Sequence, residues 1–145
     1  MLFRSDFLVL AHVTSLPFTV RWSAFNNSDL WAASLATQSD SQQLLGRGGQ
    51  INGIVGGEYG TIFTEKSIWR MDYVGPPVIF KFSEVEVGKG AVAPRSIVAH
   101  QGLIYYYDWS GFHVFDGQSS TPIGAGKVDK WFSDNCDDKI GRAHV

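Results

Sequence analysis

Cysteine is nearly absent from this sequence, in which Cys136 is the single one among 145 residues. One cysteine cannot form an intrachain disulfide, and it cannot supply the several thiolates of a cysteine-rich metal site. Long apolar runs are missing as well, because none approaches the roughly twenty residues that a membrane-spanning helix requires. These absences exclude an intrachain disulfide framework and predict a protein that has no membrane partner.

An excess of positive charge is also lacking. Lysine and arginine number 12 against 14 acidic residues, which gives a formal net charge of −2. Proteins that coat nucleic acid regardless of its sequence need a basic footprint to neutralise phosphates. The composition therefore argues against broad nucleic-acid binding, but it allows a surface that lies close to DNA without holding it.

The short motifs that mark common catalytic or cofactor sites do not occur. The histidines share no metal-ligand spacing such as HxH or HExxH: His12, His100, His113 and His144. Glycine-rich stretches at 46–49 and 56–60 are not followed by Lys-Ser/Thr and open no clear helix, so they predict turns rather than phosphate loops. There is no Gly-x-Ser-x-Gly nucleophile elbow. We predict no catalytic residue, no metal site and no cofactor, and therefore no enzyme.

The acidic residues fit solvated strands and turns better than a catalytic pair. Glu84 and Glu86 lie two residues apart, so alternation along a strand predicts that they share one wet face. A glycosidase site needs two carboxyl groups that converge from different elements. Asp108 and Asp116 are predicted in turns, where the aspartate side chain caps nearby backbone groups.

What the sequence does contain is a strand-turn-strand unit that occurs twice. The first copy covers 54–72 and the second 97–116, with matching Gly60 and Gly102, and Asp72 and Asp116, about 43 residues apart. Sixteen glycines and 14% aromatic residues suit turns and half-buried strands. A repeat of roughly 40–50 residues that is built from short strands is typical of β-propeller blades.

A third copy precedes these two. Residues 7–23 read as a β-hairpin that corresponds to the second half of a blade, so we expect this first unit to be incomplete. The polar segment 26–49 is either a surface connection, held to the body by Leu30, Trp31 and Leu35, or an interaction element. The only plausible helix is 127–132.

The predicted fold is thus all-β. It is a partial β-propeller-like array of about three antiparallel units, at about 7–23, 51–87 and 96–123, with one short C-terminal helix. We expect the domain to cover 1–139, because residues 140–145 (IGRAHV) are what the start of a common sequencing adapter encodes. Three units cannot close a propeller, which usually has four to eight blades, so we expect the natural protein to be longer.

The densest aromatic cluster supplies the only candidate binding residues. Tyr105 and Tyr107 are predicted to share one strand face, while Tyr106 points the other way. With Trp109 they form a surface on which a sugar or a base could stack. Packing between units uses the same kind of residue, and that interpretation is favoured.

The stretch 20–132 resembles tail accessory and packaged-DNA stabilisation proteins of short-tailed bacteriophages and their prophage relatives. The order of five segments carries the resemblance: 20–26 (VRWSAFN), 51–57 (INGIVGG), 61–69 (TIFTEKSIW), 88–96 (GKGAVAPRS) and 112–123 (FHVFDGQSSTPI).

The resemblance implies a virion protein that forms a homo-oligomeric ring below the portal and helps to retain packaged DNA. Its expected partners are other tail or portal proteins, with DNA nearby but not recognised by sequence. The family supplies no catalytic residues. Two alternatives remain open: a carbohydrate-binding or glycan-cleaving propeller that uses Tyr105, Tyr107, Trp109 and Glu84, and a general protein-interaction propeller.

Overall fold

The computed structural model describes residues 2–3 and 6–136. These residues form three four-stranded antiparallel sheets, one after another along the chain, and one short α-helix. The predicted all-β fold, with three antiparallel units and a short helix, is confirmed at this level. The adapter-like tail 140–145, which includes His144, lies outside the described residues.

Sheet 1 has four strands in chain order: β1 (Leu2–Phe3), β2 (Phe7–Val13), β3 (Leu16–Trp22) and β4 (Asp40–Gln43). The predicted hairpin corresponds to β2 and β3, but this unit also has both outer strands. Strand β4 was missed because its sequence, DSQQ, is polar throughout and all four side chains are exposed. No apolar alternation marks such an edge strand, which forms only because it pairs with β3.

Sheets 2 and 3 repeat this meander. Sheet 2 contains β5 (Ile51–Val55), β6 (Gly60–Thr64), β7 (Ser67–Gly75) and β8 (Ile79–Val87). A 3-10 turn, Pro94–Ser96, then leads into sheet 3. Sheet 3 contains β9 (Val98–His100), β10 (Leu103–Asp108), β11 (Gly111–Phe115) and β12 (Ser120–Pro122).

The internal repeat places equivalent residues on equivalent strands. Gly60 opens β6 and Gly102 directly precedes β10, and these are the second strands of sheets 2 and 3. Asp72 lies in β7 and Asp116 directly follows β11, which are the third strands. The repeat in the sequence is therefore a repeat of whole four-stranded sheets.

Sheet 2 lies between the other two sheets and buries both of its faces. Consecutive strand residues point to opposite faces, and Ile62 and Phe63 accordingly belong to different cores. Ile62 packs with Met71 and with residues of sheet 1, including Val20 and Trp22. Phe63 packs instead in a second cluster, with Ile68 of sheet 2, Ala91 of the following segment, and Ile104, Tyr106 and Phe115 of sheet 3.

Aromatic rings form much of the contact between sheets. Between sheets 1 and 2, the ring of Phe80 lies 5.0 Å from that of Phe7 and 5.1 Å from that of Trp22, both edge-on. Between sheets 2 and 3, the Phe63 and Tyr106 rings lie 5.1 Å apart. Such pairs add about 0.5–1.5 kcal/mol each to the gain from burial, so the aromatic-rich composition is largely explained by packing between sheets.

The segment 26–49 is attached differently from the prediction. Leu35 is 59% exposed, so it does not anchor the segment to the body. Leu44 anchors the segment in the core between sheets 1 and 2. Hydrogen bonds add to this: the indole Nε1 of Trp22 donates to the carbonyl of Gln38 at 2.8 Å, and the Tyr73 hydroxyl donates to the Gln38 side chain at 2.7 Å. Ser39 Oγ also donates to the carbonyl of Trp22.

Helix α1 (Asp129–Asn135) begins and ends later than the predicted 127–132. It follows β12 and packs on sheet 3, on the face that points away from sheet 2. Phe132 makes this contact, with its ring 4.9 Å from that of Tyr107 and 5.0 Å from that of Phe112.

Candidate functional site

Tyr106 is a core residue, as the predicted alternation along β10 requires. It is 1% exposed, stacks on the imidazole of His113 and donates its hydroxyl hydrogen to Ser120 Oγ at 2.7 Å. Burial, the largest influence, raises the pKa of Tyr106 from 10.0 to about 12. This tyrosine therefore stays neutral and holds sheets 2 and 3 together.

Tyr105 and Tyr107 lie on the opposite face of β10, which confirms that they share a side. Tyr105 pairs across the sheet with Val114, and Tyr107 pairs with Phe112. The Tyr107 ring is 5.0 Å from Phe112 and is also covered by Phe132 of α1, and burial raises its pKa. The Tyr107 ring, one of the two candidates on this strand, therefore already packs against other rings of the same chain.

Trp109 lies beyond the end of β10, in the turn that leads to β11. Its side chain is 75% exposed. Within residues 6–136, no ring contact joins Trp109 to Tyr105 or Tyr107. The three predicted candidates thus occupy a strand, a helix-covered site and a turn, and they do not form a single stacking platform.

The prediction that Glu84 and Glu86 share one solvated strand face is wrong. A β-bulge at Val85 shifts the register, so that Glu84 opposes Trp69 while Glu86 opposes Ile68. Trp69 and Ile68 are consecutive on β7 and therefore point to opposite sides. The two carboxylates are separated by the sheet itself, which excludes joint acid-base chemistry.

Glu86 has an ion-pair partner of its own. Its carboxylate lies 3.6 Å from the ammonium group of Lys89, and the glutamate side chain is largely shielded from solvent. Such a pair at a sheet edge contributes little stability.

Asp116 lies in a turn, as predicted, whereas Asp108 is the last residue of β10 and is buried. Asp116 Oδ1 accepts hydrogen bonds from the backbone N–H groups of Ser119 and Gln118, both at 2.9 Å, and these bonds lower its pKa. Asp108 Oδ2 accepts from the hydroxyl of Ser110 at 2.8 Å. Both carboxylates therefore stabilise the tight turns that flank β11.

Next to Asp108, Ser110 and His113 form an arrangement that superficially resembles a nucleophile and its base. Ser110 Oγ lies 3.4 Å from Nε2 of His113, but the serine hydroxyl donates to the aspartate, not to the histidine. Nδ1 of His113 lies 3.0 Å from the carbonyl of Gly111. No carboxylate orients the imidazole, so the order of a catalytic triad is not reproduced.

The glycine-rich stretches have structural explanations. Residues 56–59 connect β5 to β6, as a hairpin turn should. A side chain at Gly48 would collide with the Thr64 and Ser67 hydroxyls, and one at Gly90 would collide with the backbone at Thr64 and Lys66. These glycines let two loops approach the β6–β7 turn, and no phosphate loop is needed to explain them.

A groove of about 380 Å³ runs between the outer strands of sheets 1 and 2. Buried Leu44 and Phe80 lie at its base, and exposed Leu45 and Val78 lie at its rim. Trp69, Lys81, Phe82 and two glutamines complete the lining. Sequence reasoning missed this groove because its residues come from two units, and only the packing of the sheets brings them together.

The described residues contain no group of three or more potential metal ligands. None of their helices is long and apolar enough to cross a membrane. Cys136, at the end of α1, is a free and partly buried thiol.

Comparison of the sequence with known protein families and with curated proteins found no match. The function must therefore be argued from the residues and the architecture.

Proposed function

We propose that this chain is a virion structural protein of the tail or head–tail region of a bacteriophage, where it works by assembly and not by catalysis. One observation carries the proposal: three consecutive four-stranded meanders stack face to face in chain order. That arrangement is the building plan of a β-propeller. The resemblance of 20–132 to tail accessory and DNA-stabilisation proteins then supplies the role.

The packing between the sheets suits a subunit that must resist mechanical force. Both faces of sheet 2 are buried against neighbouring sheets, and the interfaces are filled with interlocking aromatic rings. Protein interiors packed in this way have low compressibility. A ring of such subunits below the portal would resist the outward force of packaged DNA.

The charge suits a passage for DNA. A net charge of −2 provides no basic footprint, so phosphates would not be held as DNA passes. The full protein is then a ring component with DNA as a neighbour, and its direct partners are portal or tail proteins and further copies of itself.

The glycan-binding alternative loses much of its support. Phe132 covers Tyr107, Trp109 lies apart in a turn, and the bulge at Val85 separates Glu84 from Glu86. No convergent pair of carboxylates remains among its candidates.

The test is assembly with virion components. The complete gene is expressed with the portal protein of the same genome, and the particles are imaged by electron microscopy. We expect a ring of this protein stacked on the portal. A protein that binds no portal or tail component, from a contig without portal and terminase genes, would overturn the proposal.

A DNA-binding measurement provides an independent check. We expect no retention of duplex DNA at physiological salt, and hence no dependence of affinity on salt concentration. Tight binding with a steep loss of affinity as salt rises, which is the signature of released counterions, would contradict the passage role.

A further inference from the structure

The three sheets stack with their strands aligned, so the turns and connections of the chain gather at two opposite ends of the stack. End A is the end at which the second strand of each sheet turns into the third. It consists of residues 14–15, 44–50, 65–66, 88–97, 109–110 and 123–128. End B, at the opposite ends of the strands, consists of residues 6, 23–39, 56–59, 76–78, 101–102 and 116–119.

Contacts between loops show that neighbouring sheets share these two ends. At end A, the N–H of Lys66 donates to the carbonyl of Gly48 at 2.8 Å, and the N–H of Gly88 donates to the carbonyl of Lys66 at 2.9 Å. At end B, a side chain on Gly117, in the β11–β12 turn, would collide with the hydroxyl of Tyr59, in the β5–β6 turn. Sheets added beside sheet 1 or sheet 3 would extend the stack sideways, so they would leave both ends uncovered.

The charged residues of the loops are divided between the two ends by sign. End A carries one acidic residue, Glu65, against five basic residues: Arg47, Lys66, Lys89, Arg95 and Lys127. End B has no basic residue among those that the structure describes, and it carries four acidic residues: Asp6, Asp29, Glu58 and Asp116. The overall net charge of −2 conceals this division. The stack is therefore positive at end A and negative at end B.

Acidic groups beside end A do not cancel its positive charge. Asp108 is buried, and the Glu86 carboxylate lies 3.6 Å from the ammonium group of Lys89. On α1, Lys130 and Asp134 pair with each other at 2.8 Å. Four exposed cations of end A have no ion-pair partner among the described residues: Arg47, Lys66, Arg95 and Lys127.

Basic groups beside end B are already engaged. Arg70 pairs with Asp72 at 2.9 Å, and Nη2 of Arg21 donates to the carbonyl of Trp31 at 3.5 Å. Three exposed acids of end B have no ion-pair partner in the described part of the chain: Asp29, Glu58 and Asp116. End B therefore presents negative charge to whatever lies against it.

Both ends also expose large apolar side chains. At end A these are Leu45, Trp109 and, at the end of β8, Val87, which are 75–79% exposed. At end B they include Leu35 and Val78. Phosphate groups would contact only the cations of end A, whereas a protein surface with acidic and apolar residues would contact both kinds of side chain. End B is a surface of that composition.

We propose that copies of this chain stack end to end, with end A of one copy against end B of the next. Opposite charge favours this contact, and like charge opposes contact between two identical ends. The inference deepens the assembly role of the proposed function and rests on it. Because the contact joins two different surfaces and repeats along the strand direction, it builds a column of copies and not a closed pair.

The first experiment measures the mass of the chain by sedimentation velocity as salt is raised. We expect species larger than the monomer at low salt, in a proportion that grows with protein concentration. These species should revert to monomer at about 1 M salt, where the screening length is about 3 Å, against about 30 Å at about 0.01 M. A chain that stays monomeric at low salt would overturn the inference, and so would association that strengthens with salt.

The second experiment cancels the charge of one end at a time. Lys66→Glu/Arg95→Glu neutralises end A, and Asp29→Lys/Glu58→Lys neutralises end B. Each variant alone should be monomeric at low salt. An equimolar mixture should give a heterodimer and nothing larger, because each variant retains the end that the other has lost. Lys81→Glu, which reverses an exposed cation on β8 outside both ends, is the matched control and should associate like wild type.

Circular dichroism verifies that the variants keep their sheets. A mixture of the two folded variants that stays monomeric contradicts the stacking. So does a wild-type chain that does not associate with itself but retains duplex DNA through Lys66 and Arg95, because nucleic acid would then be the occupant of end A.

These assays contain no phage component. A chain that stays monomeric but joins a ring on the portal would refute the stacking alone. A chain that stacks but binds no portal or tail component would count against the proposed function alone.

Discussion

Tyr106 and Tyr107 are adjacent on β10, yet they point to opposite faces of sheet 3, and these two faces pack against different parts of the molecule. Tyr106 points into the contact between sheets 2 and 3, where Phe63 and His113 enclose its ring. Tyr107 points outward and is covered by the single ring of Phe132, from a short helix. Similar residues on the two faces of one sheet thus have different partners: a whole sheet covers one face, and a seven-residue helix covers part of the other.

The largest expected difference between the two faces comes from truncating each tyrosine. Tyr106→Ala should lower the free energy of unfolding by about 3–5 kcal/mol, because it leaves a cavity between two sheets that cannot close. Tyr107→Ala should cost about 1–2 kcal/mol, because the helix above it can move. Urea unfolding followed by far-ultraviolet circular dichroism measures both values, and equal losses would contradict the comparison.

The repeat allowed much of this fold to be predicted, and the reasons are physical. In strands β10 and β11 burial alternates from one residue to the next, as the alternation of strand faces predicts. Strand β4 has no buried face, and the bulge at Val85 leaves no local signal, so both appear only when partner strands are placed. The attachment of α1 was missed for the same reason, since Asp129 meets Gly111 and Phe112 only in the folded chain.

The dependence of stability on alkaline pH provides a second test of how deeply Tyr106 is buried. The pKa of Tyr106 is raised from 10.0 to about 12, so as pH rises above 10 the unfolded chain loses this proton first. The stability that Tyr106 contributes is thus fully present below pH 10 and is lost as pH rises toward 12. At pH 11 the loss should be about 1 kcal/mol relative to pH 9.

The control is Tyr106→Phe, which removes the ionisable group but keeps the ring. The variant should lose less stability than wild type between pH 9 and pH 11. Identical losses in the two proteins would show that other groups cause the alkaline sensitivity. Burial also raises the pKa of Tyr107, which acts in the same direction in both proteins.

At neutral pH the two hydroxyl groups should differ as well. Tyr106→Phe removes the hydrogen bond to Ser120 and should cost about 1 kcal/mol. The Tyr107 hydroxyl has no hydrogen-bond partner among the described residues, so Tyr107→Phe should change stability by less than about 0.5 kcal/mol. Urea unfolding of the two variants measures both losses of stability. A larger loss for Tyr107→Phe would reverse the assignment of core and surface.

A local effect is expected at the attachment of α1 to sheet 3. Gly124→Ala places a methyl group where the Asp129 carboxylate lies, so this side chain must leave Phe112. Local opening of α1 should become easier by about 1 kcal/mol, which is roughly a fivefold gain in amide exchange across 129–135. Gly57→Ala is the matched control, since its methyl group would meet only ordinary contacts. If both variants exchange alike at α1, the carboxylate is not what holds the helix, and the contrast between the two faces of sheet 3 rests on Phe132 alone.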